Sequence, residues 1–160
     1  MLYYPDCGVL ADYQMSYCGL TMGAGTPWDI TPPADLLGLQ GVRTMDQARV
    51  YGAGSWSGPD YADAVTISIP VELVADNDDD FQTQLSAFMQ AFSVKTDPQP
   101  LWIKVPGFPQ YCIPCKISKR PTQSDVTWGR YMASTIEFHA PKPVKQGIPG
   151  VARLTSTGSW

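Results

Sequence analysis

Residues 65–92 constrain the fold more than any other stretch of this chain. Val65-Thr66-Ile67-Ser68-Ile69-Pro70-Val71-Glu72-Leu73 alternates apolar and polar side chains, the period-two pattern of a strand with one buried face. The acidic run Asp76-Asn77-Asp78-Asp79-Asp80 follows at once, and Phe81, Leu85, Phe88, Met89 and Phe92 then recur at helical spacing. A half-buried strand therefore feeds an amphipathic helix near residues 77–94, capped by Asp76 or Asn77. Carboxylates in the first turn favour the positive end of the helix dipole by about 0.3–1 kcal/mol each, less their mutual repulsion. Burying the apolar stripe on a sheet contributes about 1.5–3 kcal/mol per large side chain, so the helix is expected to be a core element.

The rest of the chain reads as short strands. Asp12 to Cys18 forms a first strand with Tyr13, Met15 and Tyr17 on one face. Gly19 to Gly25 is too rich in glycine for a regular element. Trp28-Asp29-Ile30 is a short extended piece, and Pro32-Pro33 opens a loop. Residues 36–43 form an apolar patch broken by glycines, and residues 52–60 form a loop. In the strand at 64–74, Pro70 cannot donate to a ladder, which predicts an edge strand or a bulge. Residues 101–117 read as a hairpin turning at Pro106-Gly107-Phe108-Pro109. Trp128 to Phe138 is a last long strand, with Met132, Ser134, Ile136 and Phe138 on one face. The expected fold class is mainly β with one α-helix, a β-sandwich or barrel. One domain spans residues 1–143, and residues 144–160 form an extended tail.

Composition narrows the function. Charged residues make up only 16% of the 160, against roughly 25% in an ordinary domain, which suits a surface covered by neighbours or one rich in Ser, Thr, Gln and Gly. Net charge is −4, and the basic residues are scattered apart from Lys116, Lys119 and Arg120, so no nucleic-acid footprint is expected. No apolar run is long enough to span a membrane. The start of the chain lacks the basic and apolar regions of a signal peptide, which predicts assembly inside a cell.

Chemical motifs are weak. Cys112-Ile113-Pro114-Cys115 has the CxxC form of a redox pair or half a zinc site. It lies in an alternating strand, where positions i and i+3 point to opposite faces, and redox pairs sit instead at helix N-termini. Packed free thiols are the expectation for Cys112 and Cys115, as for Cys7 and Cys18. His139 is the only histidine, which leaves no two-histidine metal centre. Gly54-Ser55-Trp56-Ser57-Gly58 lacks the form and the following helix of a nucleophile elbow. The aspartate run lacks the Gly and Glu of a calcium loop. Gly52-Ala53-Gly54 lacks the lysine of a phosphate loop. No catalytic, metal-binding or cofactor-binding set is expected. The aromatic residues could form a sugar platform, although in a β-rich chain they more often serve cores and interfaces.

The order of parts carries one resemblance. Pro27-Trp28-Asp29-Ile30 is followed by Leu36-Leu37-Gly38-Leu39, a Gly-rich loop, the alternating strand and the helix, and the last strand closes in Glu137-Phe138-His139-Ala140-Pro141. This series resembles the N-terminal domain of distal tail proteins of long-tailed bacteriophages, especially those of actinobacterial phages, over residues 12–143. The resemblance implies a β-sandwich with one helix, related to tail tube subunits. It implies a non-enzymatic, hexameric ring in the virion tail tip or baseplate of a siphovirus, assembled in the host cytoplasm. That ring would join the tail tube protein to hub and tip proteins, with the tape measure protein as a further contact. Many members carry a second, carbohydrate-binding domain, whereas only residues 144–160 follow here, which argues against direct host-surface binding. The expected interface residues are Leu36, Leu37, Leu39, Val42 and Arg43 in the patch, and Val151, Leu154 and Trp160 in the tail. A tube subunit, a tip adaptor and a carbohydrate-binding sandwich stay open as alternatives.

Overall fold

A computed structural model of the chain describes residues 8–31, 42–120, 130–142 and 145–147. In chain order these residues form β1 (Gln14–Tyr17), β2 (Leu20–Gly23), β3 (Trp28–Ile30), β4 (Val42–Thr44), β5 (Gln47–Ala48), β6 (Ser55–Trp56), β7 (Asp60–Ala62), β8 (Val65–Val74), α1 (Asp78–Ala91), β9 (Gln99–Lys104), β10 (Tyr111–Lys119), β11 (Tyr131–Ala140) and β12 (Gln146–Gly147). The fold is mainly β with one helix, as the sequence predicts. The main sheet is antiparallel, in the order β2-β1-β9-β10-β11-β8-β3, with β12 added to β10.

Strand β10 holds the sandwich together. Its first half, Tyr111 to Cys115, pairs with β9, and Lys116 to Lys119 pair with β11. The register with β11 shifts between Ile117 and Lys119, a bulge just beyond the change of partners. Two half-sheets, β2-β1-β9-β10 and β10-β11-β8-β3, thus share one strand. Their inner side chains meet in one core, with Met15, Tyr17, Leu101, Ile103, Ile113 and Cys115 from the first and Ile67, Ile69, Val71, Leu73, Met132, Ile136 and Phe138 from the second. The alternating burial of β8 follows its sequence alternation residue by residue.

The helix brings Phe81, Phe88 and Ala91 to that core, with Phe92 just beyond its end. Phe88 stacks on Trp28 at 4.4 Å between ring centroids, and Phe92 stacks on Tyr17 at 5.5 Å. The indole N–H of Trp28 is buried without an acceptor, a cost that this stacking offsets. Of the two predicted caps, Asn77 serves, and its Oδ1 accepts the Asp80 N–H at 2.8 Å. Arg130 donates from Nε to Asp78 Oδ1 at 2.9 Å and from Nη1 to the Asp76 carbonyl, tying the helix start to the approach to β11. Both side chains of that ion pair are largely exposed, so its contribution is small. Asn77→Ala is expected to cost about 1 kcal/mol of stability, read as a small drop in the urea midpoint with unchanged slope.

Several expectations are corrected. Tyr13 does not share the buried face of Met15 and Tyr17. It precedes β1 with φ +63° and is exposed. The glycine-rich stretch after it contains a strand, β2, because Cys18 (φ +48°) and Gly19 (φ +86°) make a two-residue turn between Tyr17 and Leu20, the geometry of a type I′ hairpin. Strand β8 carries no bulge, since it runs in continuous register with β11 from Val65 to Val74, but β3 covers its other side only at Val71 to Leu73, so the expected edge is present up to Pro70. Pro70 is tolerated because its carbonyl accepts the Thr31 N–H. Its nitrogen therefore faces the same side, just past the end of β3, where no ladder donor is required. The loop assigned to residues 52–60 belongs to a hairpin formed by β4 to β7.

Candidate functional site

That hairpin is the most unusual part of the described surface. Strand β4 pairs with β7, and β5 pairs with β6 further out. Between the two ladders, Asp46 Oδ1 accepts the Gly58 N–H at 2.9 Å. At the tip the Arg49 N–H donates to the Gly54 carbonyl at 3.3 Å. The Arg49 guanidinium lies 4.6 Å from the centroid of the Trp56 ring, worth about 0.5–1 kcal/mol at an exposed site. Neither ladder joins the main sheet, and every residue from Thr44 to Ser57 is exposed. We call residues 42–62 the arm.

An isolated two-stranded hairpin is marginal in water. This one also carries Tyr51, Val50, Trp56 and Met45 at 92%, 86%, 65% and 54% exposure. Single exposed apolar residues are ordinary, but a cluster of them on one small element marks an interaction surface. These residues lack a period of two or 3.6, so no rotation of the segment could have turned them toward a core of its own.

A second feature lies at one end of the sandwich, where β1 begins and β3 and β9 end. An apolar hollow of about 70 Å³ is lined by Tyr13, Gln14, Met15, Ile30, Ile103, Lys104 and Val105. The turn beside it is well braced. The Tyr13 N–H donates to the Lys104 carbonyl at 3.0 Å, and Lys104 Nζ donates to the Phe108 carbonyl at 2.7 Å and pairs with Asp12 Oδ1 at 3.2 Å. The hollow is far smaller than the roughly 300 Å³ at which small-molecule pockets begin.

The chemically capable residues are dispersed. Cys112 packs with Leu10 and Trp102 in a small cluster, whereas Cys115 lies in the main core. The two thiols of the CxxC thus occupy opposite faces of β10, and like Cys18 they form no disulfide; Cys7 lies outside the described residues. Burial pushes the Cys115 thiol upward from its ordinary range, which makes it a poor nucleophile. The Trp102 and Cys112 face is sealed by the segment before β1, where Gln110 accepts the Leu10 N–H at 3.0 Å and donates to the Gly8 carbonyl at 2.9 Å. His139 is exposed near the end of β11, with Lys116 and Thr66 across from it. Among the described residues, no three His, Cys, Asp or Glu side chains come together as a metal site. Of the expected interface residues, Val42 and Arg43 pair with Ala62 and Tyr61 at the base of the arm. Leu36, Leu37, Leu39, Val151, Leu154 and Trp160 lie outside the described residues. The exposed apolar residues of the arm were not among those expected.

No family model matches the chain, and no curated protein sequence matches it. Among solved structures it is similar to the Dit protein (gp 19.1) of phage SPP1, described as a paradigm of the hub adsorption apparatus in phages infecting Gram-positive bacteria. The TM-score is 0.54 at 12% identity, and the match takes in 84% of this chain. It spans about half of the SPP1 chain, 52%. The chain has a Dit-like fold.

Proposed function

We propose that this chain is a structural, non-enzymatic subunit of a bacteriophage tail. In this reading it forms a hexameric ring at the distal end of the tail tube and joins the tube to the hub and tip. Its partners are copies of itself, the tail tube protein, hub and tip proteins, and the tape measure protein. It resides in the virion tail after assembly in the host cytoplasm, and it needs no cofactor. Residues 1–143 act as the ring body, and residues 144–160 reach toward a neighbouring subunit or the hub. Val42 and Arg43, with Leu36, Leu37, Leu39, Val151, Leu154 and Trp160, are proposed to contribute to these contacts.

The likeness to the SPP1 Dit protein supports the reading at the level of fold. The observation that carries it is the arm, a hairpin exposed from Thr44 to Ser57 and bearing four large apolar side chains, which is what a subunit completed by its neighbours presents. Sedimentation and negative-stain imaging of the purified chain test it. The expected result is a closed six-fold ring, with a Tyr51→Ser/Trp56→Ser variant shifted to monomer at the same concentration. A full chain that stays monomeric at every accessible concentration would overturn the ring.

A further inference from the structure

We propose that the apolar hollow at the end of the sandwich receives Val50 from the arm of an adjacent copy, an inference that rests on the assembly reading above. Three observations converge on this seat. The first is chemical: Tyr13, Met15, Ile30, Ile103 and Val105 give the hollow apolar walls, and Val50 is an aliphatic side chain left 86% exposed at the arm tip. The second is size. At about 70 Å³ the hollow is several times the roughly 10–15 Å³ that a single water needs on the same measure, which leaves room for a branched aliphatic group.

The third observation is charge. Arg49 precedes Val50, and its guanidinium rests on the Trp56 ring. Asp12 adjoins Tyr13 at the hollow, is 54% exposed, and engages Lys104 through Oδ1, leaving acceptor capacity for a second cation. A valine entering the hollow brings Arg49 toward that carboxylate. Because tip and seat are different surfaces of one chain, the contact is heterologous, and a heterologous contact closes into a ring when its rotation allows.

The test mixes full-length Val50→Cys and Val105→Cys variants with a short bis-maleimide and identifies linked peptides by mass spectrometry, with each variant alone as the control for Cys7 and Cys18. The expected result is a 50–105 link formed only in the mixture. Val50→Asp, at a surface position, is expected to weaken self-association at least tenfold while leaving the thermal midpoint of the dissociated chain unchanged. Rings that form without a 50–105 link, or Val50→Asp rings as tight as the parent, would overturn the seat and leave the ring reading standing. A chain that never associates would overturn both.

Discussion

Phe88→Ala is expected to lower the unfolding free energy by about 3–5 kcal/mol, the range for emptying a large aromatic site in a packed core. Phe88 is fully buried on the inner face of α1. Its ring is stacked on Trp28 at 4.4 Å and tilted against Phe92 at 4.5 Å. Removing it strips one face from Trp28, whose buried N–H already lacks an acceptor, and loosens the contact between the helix and β3. Against a total stability of about 5–15 kcal/mol, that loss shifts the thermal midpoint by roughly 6–20 °C at about 2–4 °C per kcal/mol. The next residue provides the contrast. Met89 is half-exposed, and Met89→Ala is expected to stay within about 0.5 kcal/mol. Similar losses at both positions in urea unfolding would mean that the aromatic stack is not what holds the helix.

Gly23→Ala is the second large effect. Gly23 ends β2 at φ +114° opposite Gln14, and a Cβ there would stand 2.2 Å from the Tyr13 carbonyl oxygen. The strained backbone alone costs about 1–3 kcal/mol, and the clash adds to it by pushing on the turn that places Tyr13 at the hollow. Gly107→Ala separates the two terms, since Gly107 also has positive φ (+80°) but open space around it. The expected order in thermal unfolding is Gly107→Ala mildly destabilised and Gly23→Ala strongly so. Equal losses would show that backbone conformation, rather than close approach, accounts for the glycine at 23.

Elements with a strong period were legible in the sequence. The alternation of residues 65–73, the stripe Phe81, Leu85, Phe88, the hairpin around Pro106 to Pro109 and the alternation ending at Phe138 all reappear as β8, α1, β9–β10 and β11. Strand β2 was hidden because the glycines that resemble a loop perform separate tasks, Gly19 in the turn and Gly23 at a close approach. The role of Pro70 was half legible. Its missing donor announced an unpaired side, but only the end point of β3 shows which side that is. Strand order was not legible, because β1 meets β9 and β8 meets β11 across long stretches of chain, and nothing local encodes those pairings. The arm was missed because its ladders are only two or three residues long, too short for an alternation to show. The available signal was negative, in that Met45, Val50, Tyr51 and Trp56 recur with no period that any core could use.

The separation of the arm from the sandwich divides the demands made on the sequence. No ladder of the main sheet runs through residues 42–62, so a substitution at the tip alters fit without disturbing the fold, and one in the aromatic stack does the reverse. Selection for a matched contact and selection for a folded body therefore act on different residues. Tip and seat can drift together across a lineage while the strands that carry them stay as they are.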